Sequence, residues 1–482
     1  MSRSLLQQQL EACAAARYPL HMPGHKRRCL PAPGLACAAW DTTEVPGTDD
    51  LHDADGILAQ AMARAAALWG SRRCWFLVGG STAGLLAAVR AAAPWGSEIL
   101  CARNCHKSIY HAIELCDLRP VWLTPPVDEA FGVYGSIPPA AVAEALDAHP
   151  DAACLVLTSP TYEGVLSDIA AIANLCHARG IPLVVDEAHG AHYLPAAEPF
   201  GWRGGAVAAG ADLVIQSAHK TLPSLTQTAL LHLNGNLIDP DEVERQLDVF
   251  ETSSPSYPLM VSLDGCCAQL AQEGPALFAG WRQRLDRFSA AVVPLQHLRV
   301  LCHGADRLAD HPGFFAHDSG KILVNGAAAG LTGTGMARLL REGYGFETEM
   351  ACGTNLLAMT SVCDAEDALD RLAEALLALD ADARPAVAAP RATLCPPGEA
   401  VCTIARAVRL PRRELSLAEA VGTACAEYVW AYPPGVPLIT PGERVTPAFA
   451  AACAALEAAG TALHHTVAKT PGKLAVCGDS KP

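Results

Sequence analysis

The sequence predicts an α/β fold, in which a large domain with a parallel, doubly wound sheet precedes a smaller α+β domain. Three observations support this. Hydrophobic residues make up 51% of the 482 residues and charged residues 18%, which allows a large core and excludes a disordered chain. Short apolar runs alternate with Ala/Leu-rich helical stretches over residues 41–300. After residue 301 the alternation is lost, and a Pro-rich break follows at 384–397.

The predicted elements follow an irregular N-terminal arm, residues 1–40, which is rich in Pro, Gly and His. Strands are predicted at 74–78, 153–157, 182–185 and 212–215, and helices at 81–93, 336–342 and 365–379. A further helix is predicted between Ser167 and Gly180, because Ser caps helix starts and Gly commonly follows helix ends. We therefore divide the chain into an arm (1–40), a large domain (41–300) and a C-terminal domain (301–482).

Charge and cysteine content limit the partners and the compartment. Lys and Arg number 35 against 50 Asp and Glu, a net charge of −15, which disfavours nucleic-acid binding and suits a cationic small molecule. The 19 cysteines include no C-x-x-C pair and are too few for a disulfide scaffold, so we expect reduced thiols in a cytoplasmic protein. Glu457 interrupts the Ala-rich stretch 448–463, so we predict no membrane span.

Polar side chains follow three consecutive predicted strands. Thr158 ends the first, Asp186 the second, and Ser217, His219 and Lys220 follow the third. Ligands of open α/β sheets bind at the carboxyl ends of strands, so we expect these groups to converge. An acid and a lysine on neighbouring strand ends suit pyridoxal phosphate (PLP), which has a basic ring nitrogen and an aldehyde.

A glycine-rich turn supplies the expected phosphate site. Gly80, Ser81 and Thr82 lie in the segment GGSTAG, where a predicted strand turns into a helix, and helix N-termini bind phosphate through backbone N–H groups. Such a turn on its own is more often a simple helix cap. Its order in the chain, before Asp186 and then Lys220 34 residues later, favours the cofactor site.

These motifs together resemble the PLP-dependent ornithine/lysine/arginine decarboxylases, which have fold type I, the aspartate-aminotransferase fold. The matching blocks cover nearly the whole chain: HMPGHK (21–26), DTTE (41–44), GTDDLH (47–52), GGSTAG (79–84), NCHKS (104–108) with His111, TSPTYEG (158–164), DEAHGAH (186–192), QSAHKTL (216–222), SSPSY (253–257), YPPGVPL (432–438) and PGE (441–443). Because the first block lies near the start of the sequence, the resemblance is to the short form without an N-terminal wing domain.

The resemblance implies roles around the cofactor ring. Lys220 forms the Schiff base, and Asp186 pairs with the ring nitrogen and keeps it protonated. Ala188 lies under one ring face and His106 stacks on the other. His189 contacts the cofactor O3′ or the substrate.

The resemblance also implies a phosphate cradle. Gly80, Ser81, Thr82 and Ser217 hold the phosphate, with His219 close by. Fold type I sites lie at a dimer interface, so we expect a homodimer or a larger homo-oligomer with shared active sites.

The implied reaction is decarboxylation of lysine, ornithine or arginine to cadaverine, putrescine or agmatine. Lys220 or His219 returns a proton to the substrate Cα. The distal cation of such a substrate needs carboxylate partners. The candidate substrate-binding residues are Thr158, Tyr162, Glu163, Asp49, Asp50, Glu347 and Glu349.

Other interpretations remain open from sequence alone. The same fold and cofactor serve aminotransferases and carbon–sulfur lyases, and a PLP-binding regulator or inhibitory homologue would keep the fold without the reaction. Asp186, His189 and His192 have metal-ligand chemistry, but their spacing differs from H-E-x-x-H on a helix, and we predict no metal site.

Overall fold

A computed structural model describes residues 4–16, 40–383, 397–431, 436–458 and 462–478. The predicted block at 21–26, the first four residues of the block at 432–438, most of the N-terminal arm and nearly all of the Pro-rich break lie outside these residues. Two compact units are present. The first contains the described residues within 1–92, 169–282 and 361–363, and the second those within 93–168, 283–360 and 364–482. Neither unit is one continuous stretch, and the predicted boundary near residue 300 stays a prediction.

The helices, in chain order, are α1 (Leu5–Ala16), α2 (Ile57–Trp69), α3 (Gly80–Ala92), α4 (Lys107–Leu115), α5 (Pro139–Ala148), α6 (Ile169–His177), α7 (Ala218–Thr221), α8 (Pro240–Phe250), α9 (Tyr257–Ala291), α10 (Gly333–Tyr344), α11 (Ala368–Ala381), α12 (Ile404–Ala407), α13 (Leu417–Ala420) and α14 (Pro447–Ala458). The strands are β1 (Arg73–Leu77), β2 (Glu98–Ala102), β3 (Arg119–Leu123), β4 (Val127–Asp128), β5 (Val133–Tyr134), β6 (Leu155–Thr158), β7 (Val165–Leu166), β8 (Leu183–Asp186), β9 (Leu213–Gln216), β10 (Ala229–Leu233), β11 (Arg299–Val300), β12 (Ala316–His317), β13 (Lys321–Asn325), β14 (Met350–Cys352), β15 (Asn355–Met359), β16 (Arg412–Ser416), β17 (Val429–Ala431), β18 (Pro437–Ile439), β19 (Leu463–His465) and β20 (Lys473–Cys477).

The first unit carries β8, β9, β10 and β1 side by side. β8 and β9 are parallel, as predicted, whereas β10 is antiparallel to both β9 and β1. β8, β9 and β10 are buried along their whole length, which explains their continuous apolar runs. The predicted strands at 74–78, 182–185 and 212–215 are therefore found as β1, β8 and β9, each shifted by one residue.

Helix α3 packs closely on this sheet because its sequence lacks a side chain at one position. A Cβ atom on Gly84 would lie 2.4 Å from Leu77 Cδ1 of β1 and 3.3 Å from Ile215 Cγ2 of β9. The last glycine of the GGSTAG segment thus permits the helix to approach the sheet, while the first turn of the helix reaches the strand ends. The predicted helix 81–93 is found as α3.

The second unit contains further parallel strands and several antiparallel sheets. β2 lies between β3 and β6 and is parallel to both. β11, β13, β15 and β14 form an antiparallel sheet in that order, and β7 pairs with β12. The predicted strand 153–157 is β6, and the predicted helices 336–342 and 365–379 are α10 and α11. Ser167, predicted to cap a helix, instead accepts a hydrogen bond from the Ile137 N–H, and α6 begins at Ile169.

The C-terminal part of the second unit has its own apolar cluster. Phe449 and Cys453 of α14 pack with Val429 of β17 and with Leu474 and Val476 of β20. The Ala-rich stretch around α14 is thus a packed helix. Across the described part of the chain, no helix combines the length and the apolar character that crossing a membrane requires.

A buried ion-paired histidine joins strand β4 to a loop of the second unit. The His311 ring is 1% exposed, with Nδ1 2.8 Å from Asp128 and Nε2 2.7 Å from Asp306. Burial alone would lower the pKa of His311, but these two carboxylates outweigh it and raise the pKa. Cys302 lies close enough to join Asp306 and His311 around a metal ion. Both ring nitrogens already serve the carboxylates, so the arrangement is an ion-paired cluster.

We expect His311→Gln to destabilise the protein in a pH-dependent way. Because the folded pKa of His311 is raised, its contribution is complete below the unfolded value of about 6.5 and is lost as the pH rises through the folded pKa. The loss should be about 2 kcal/mol at low pH, the scale of hydrogen bonds to charged groups. Urea unfolding of both proteins across pH measures it. A difference in unfolding free energy that stays constant with pH would show that His311 is not charged in the folded state.

Candidate active site

The predicted site residues of the first unit meet at one sheet edge. Asp186 is the last residue of β8 and lies opposite Ile215 of the parallel strand β9. β9 ends at Gln216, and the short helix α7 then carries Lys220. Parallel neighbours end at the same edge, so the acid and the lysine come together as predicted.

Lys220 and Asp186 form the centre of this arrangement. Lys220 Nζ lies 2.9 Å from His189 Nε2, a hydrogen-bonding distance. Asp186 is 2% exposed, and its Oδ1 accepts the N–H of Ala188 at 3.1 Å. Burial raises the pKa of Asp186, and the positive charge of Lys220 opposes that rise. The site therefore places an amine, an imidazole and a buried carboxyl within one small region.

The glycine-rich turn reaches the same edge. Gly80 has φ of +75°, a left-handed conformation that favours glycine, and it begins the 13-residue helix α3. Ser81 Oγ lies 2.7 Å from Ser217 Oγ, which joins the helix start to the end of β9. Thr82 follows in the first turn and is exposed. First-turn N–H groups without intrahelical acceptors, beside two hydroxyls, suit a phosphate.

His219 is oriented by the backbone. Its Nδ1 lies 2.8 Å from the carbonyl oxygen of Thr228, so Nδ1 carries a proton and donates it. Burial lowers the pKa of His219; the Thr228 hydrogen bond opposes this, while the charge of Lys220 adds to it. The ring is therefore neutral near pH 7, with its remaining lone pair on Nε2.

A buried polar network lies beside Asp186 and was not predicted. Glu187 accepts hydrogen bonds from Gln216 Nε2 and from the Ala206 N–H, both at 2.7 Å. Gln216 Oε1 lies 3.2 Å from His232 Nε2, and His232 Nδ1 lies 3.0 Å from Ser71 Oγ. Burial raises the pKa of Glu187 to about 8. The DEAHGAH motif contained this residue, but its partners, Gln216 on β9 and Ala206 in a turn, have no sequence signature.

His192 does not join the acid and the lysine. Its ring is fully buried and packs against Tyr193, Trp202 and Trp281, with ring centroids 4.5 to 6.1 Å away. It belongs to an aromatic cluster of the first unit, which leaves the DEAHGAH motif without a metal-binding geometry at this residue.

His106, Thr158 and Asn104 belong to the second unit, where they lie at the carboxyl ends of parallel strands. His106 caps α4, and its Nδ1 accepts the Ser108 N–H at 3.3 Å, which fixes the ring. Thr158 Oγ1 ends β6, and Asn104 Oδ1 follows β2; both atoms are buried, with no hydrogen-bond partner among the described residues. Buried polar atoms without partners are costly, which is expected where a polar ligand binds. Asn104 had no predicted role.

The predicted substrate carboxylates differ in their surroundings. In the second unit, Tyr162 Oη donates to Glu349 Oε1 at 2.7 Å, so these two candidates are in contact. Glu347 pairs instead with Arg341 at 3.1 Å. Burial raises the pKa of Glu163, opposed by hydrogen bonds and by the nearby positive charge of Lys321.

Asp49 and Asp50 shape the turn before α2. The Asp49 carboxylate accepts four backbone N–H groups, including those of Gly56 at 3.0 Å and Leu58 at 2.7 Å. Tyr257 Oη donates to the Asp49 carbonyl at 2.6 Å, which ties the SSPSY block to the GTDDLH block. Asp50 accepts the His52 N–H at 2.9 Å. The structure thus gives Asp49 a capping function; a substrate contact for either residue stays a prediction.

Family models match most of the chain. Residues 35–320 match the major domain of the Orn/Lys/Arg decarboxylases, and residues 383–472 match their C-terminal domain. The chain is 35% identical over 425 residues to an uncharacterised Bacillus subtilis protein, YaaO, covering 84% of this chain and 83% of that one.

A relative with an assigned activity agrees with the family match. The chain is 32% identical over 448 residues to a Bacillus subtilis arginine decarboxylase, covering 90% of this chain and 89% of the relative. The solved Francisella novicida lysine decarboxylase superposes with a TM-score of 0.81 at 19% identity, covering 98% of this chain and 81% of that one. The predicted α/β fold, of fold type I, is confirmed.

Proposed function

Because the chain belongs to the ornithine/lysine/arginine decarboxylase family, we propose that it uses PLP to remove the α-carboxylate of a basic amino acid, with arginine preferred. The decarboxylase class follows from the family. The observation that carries the cofactor is Lys220 Nζ beside His189, one strand away from the buried Asp186. The preference for arginine is supported by the arginine decarboxylase to which the chain is 32% identical.

The residues present fit this cofactor. The N-terminal N–H groups of α3 and the paired hydroxyls of Ser81 and Ser217 would hold the phosphate. The buried carboxyl of Asp186 would pair with the basic ring nitrogen, and the amine of Lys220 would bond to the aldehyde. Bound PLP supplies a ring that accepts the electron pair left when a bond to the substrate Cα breaks.

Lys220 and Asp186 have separate tasks in this proposal. The Lys220 amine holds the cofactor and yields its place to the substrate amine. Asp186 would hold a proton on the ring nitrogen. Because Asp186 is buried, water would not compete for this contact. The small side chain of Ala188 would leave room for the ring, and the ring of His106, fixed by the Ser108 N–H, would be its stacking partner.

Lys220 is the better proton donor to the substrate Cα. His219 donates its Nδ1 proton to Thr228, and its pKa is lowered by burial, so its Nε2 carries no proton near pH 7. Lys220 becomes available once the substrate has displaced it. His189 at 2.9 Å orients the freed amine.

We retain Glu163 and Glu349 as candidate partners of the distal substrate cation. Glu349 is oriented by Tyr162, whereas Glu347 is paired with Arg341 and the Asp49 carboxylate is occupied by backbone N–H groups. We also propose a cytoplasmic homodimer or larger homo-oligomer that binds no nucleic acid, with the domain division predicted from sequence.

The proposal is tested by offering arginine, lysine and ornithine separately to the PLP-loaded protein. We expect CO₂ and agmatine from arginine, and we expect kcat/KM for lysine and ornithine to be at least roughly tenfold lower. The carboxylates of a site that fits the distal cation of arginine would pair poorly with the cation of a shorter substrate. Keto acid without CO₂ would instead identify an aminotransferase. Release of a thiol or sulfide from cysteine or cystathionine would identify a lyase, and no turnover despite bound cofactor would support a regulatory protein.

A further inference from the structure

A buried carboxylate that the proposed reaction does not use lies against the phosphate turn. Glu251 directly follows α8, is 9% exposed, and donates its own N–H to the Leu247 carbonyl. The N–H of Gly79 donates to both of its carboxylate oxygens, at 2.8 and 3.1 Å. Gly79 immediately precedes Gly80 and Ser81. The Glu251 carboxylate therefore accepts the N–H of the residue that directly precedes those proposed to hold a phosphate.

Two anions this close repel each other strongly where little water separates them. The Gly79 N–H donates to the Glu251 carboxylate, and the N–H groups of the next residues are those proposed to hold the phosphate. Like charges at neighbouring sites favour protonation of one of them. The phosphate keeps its charge through the helix N-terminus, so Glu251 is the group that takes up the proton.

The charged neighbours of Glu251 do not neutralise it fully. His52 Nε2 donates to the Thr252 carbonyl at 2.9 Å, and His52 Nδ1 lies 3.9 Å from Asp248, an exposed acid of α8. The first turn of α3 has no acidic residue, and the basic residue of that helix, Arg90, lies in its last turn. Burial raises the pKa of Glu251 to about 7, with the Gly79 hydrogen bond and the charge of His52 opposing the rise.

A cavity of about 530 Å³ gives Glu251 a route for protons from solvent. Glu251 lines this cavity together with His52, Asp53, Arg72, Arg73 and Glu244, and Arg73 pairs with Glu244. The cavity is bounded by α2, β1 and α8, all within the first unit. The proton therefore has a path that does not pass through the ring-binding region around Lys220.

We propose that Glu251 is a positioning residue that holds the turn of residues 79–82 and takes up one proton from water when the cofactor phosphate binds there. One carboxyl oxygen keeps the Gly79 N–H as donor, the other receives the proton, and no bond to the cofactor forms. The inference rests on the proposed function, because it takes the phosphate of PLP as the occupant. It predicts that cofactor affinity falls with rising pH more steeply than the ligand's own titration requires.

The test compares the wild-type protein with Glu251→Gln, which keeps an acceptor for Gly79 but cannot titrate. PLP is titrated at about pH 6 and about pH 8, followed by the visible absorbance of the lysine-bound cofactor, and calorimetry in two buffers of different ionisation enthalpy counts protons. We expect the wild-type protein to take up close to one more proton than the variant at the higher pH. The ratio of the wild-type Kd for PLP to the Kd of the Glu251→Gln variant should rise by up to about tenfold per pH unit.

Matched controls separate this role from a merely structural one. Asp241→Asn removes an exposed acid in the first turn of the same helix, at the opposite end from Glu251, and its proton count should equal that of the wild-type protein. Glu251→Ala removes the acceptor and should weaken PLP binding at every pH. Equal proton counts in the wild-type protein and Glu251→Gln, or a ratio of their Kd values that is independent of pH, would overturn the proposal.

A second probe keeps the inference separate from the proposed function. The same calorimetry is run with inorganic phosphate, which needs the turn but not Lys220. A wild-type protein that binds phosphate with the extra proton but develops no visible band with PLP would overturn the cofactor and support Glu251. A visible band with PLP but no extra proton for either ligand would support the cofactor and overturn the proposal for Glu251.

Discussion

Lys220→Ala is expected to remove turnover and the visible absorbance of the lysine-bound cofactor. The side chain supplies both the amine that holds the cofactor and, in our proposal, the proton returned to the substrate Cα. Loss of both should lower kcat by at least about 10⁴-fold, the upper range for one general acid–base group. Stopped assays of CO₂ release with the preferred substrate, together with absorbance spectra after PLP loading, measure the two effects.

Lys469→Ala is the matched control, because Lys469 is exposed and lies far from α7 in the chain. It should keep both the spectrum and the rate. Lys220→Arg retains a positive charge but cannot form the bond to the aldehyde, so it should be as inactive as Lys220→Ala. Turnover by Lys220→Ala within tenfold of wild type would rule out Lys220 as the cofactor-holding residue.

Glu443→Ala is expected to lower the stability of the second unit by about 3–5 kcal/mol, the usual cost of leaving a buried charge without its partner. Arg103 and Glu443 are 2% and 3% exposed, with 3.3 Å between Nη2 and Oε2. Arg103 also donates to Tyr110 Oη, and its guanidinium stacks near the rings of Tyr110 and Trp122. Burial raises the pKa of Glu443, and Arg103 opposes that rise. Without Glu443 the guanidinium stays buried and charged, since arginine does not deprotonate in proteins.

Thermal unfolding measures this effect. At about 2–4 °C per kcal/mol for a unit of this size, Tm should fall by at least about 6 °C. Glu443→Gln keeps an acceptor for Arg103 and should lose clearly less. The double variant Arg103→Met, Glu443→Leu removes both charges and should recover much of the loss, because apolar pairs often replace buried ion pairs without cost. Equal Tm values for Glu443→Ala and the wild-type protein would show that the pair contributes nothing.

The pair also explains a motif that the sequence alone marked only by resemblance. Arg103 follows β2 directly, and its carbonyl accepts Tyr110 Oη at 2.5 Å, which anchors the segment leading to His106. Glu443 ends the PGE block more than 300 residues later and lies against this same segment. A C-terminal motif therefore supports the backbone that carries a predicted cofactor residue.

Local chemistry made much of this protein predictable. The order along the chain of a glycine-rich turn, Asp186 and Lys220 indicated a site at one sheet edge. Asp186 and Lys220 follow neighbouring parallel strands, which end on the same side. Apolar runs located β1, β6, β8 and β9 to within two residues, because buried strands leave continuous apolar sequence. The family assignment was confirmed by matches over residues 35–320 and 383–472.

Long-range pairing decided the rest. The antiparallel placement of β10, the Glu187–Gln216–His232 network, the contact of Glu251 with Gly79 and the Arg103–Glu443 pair all join residues distant in sequence. Periodicity and motifs report the local conformation and burial of a segment, and they contain no information on which buried polar group meets which. By itself the sequence determined the fold class, the family and the residues at the strand ends. Only the tertiary structure decided how their charges and hydrogen bonds are satisfied, because each buried polar group needs a partner that folding brings from elsewhere in the chain.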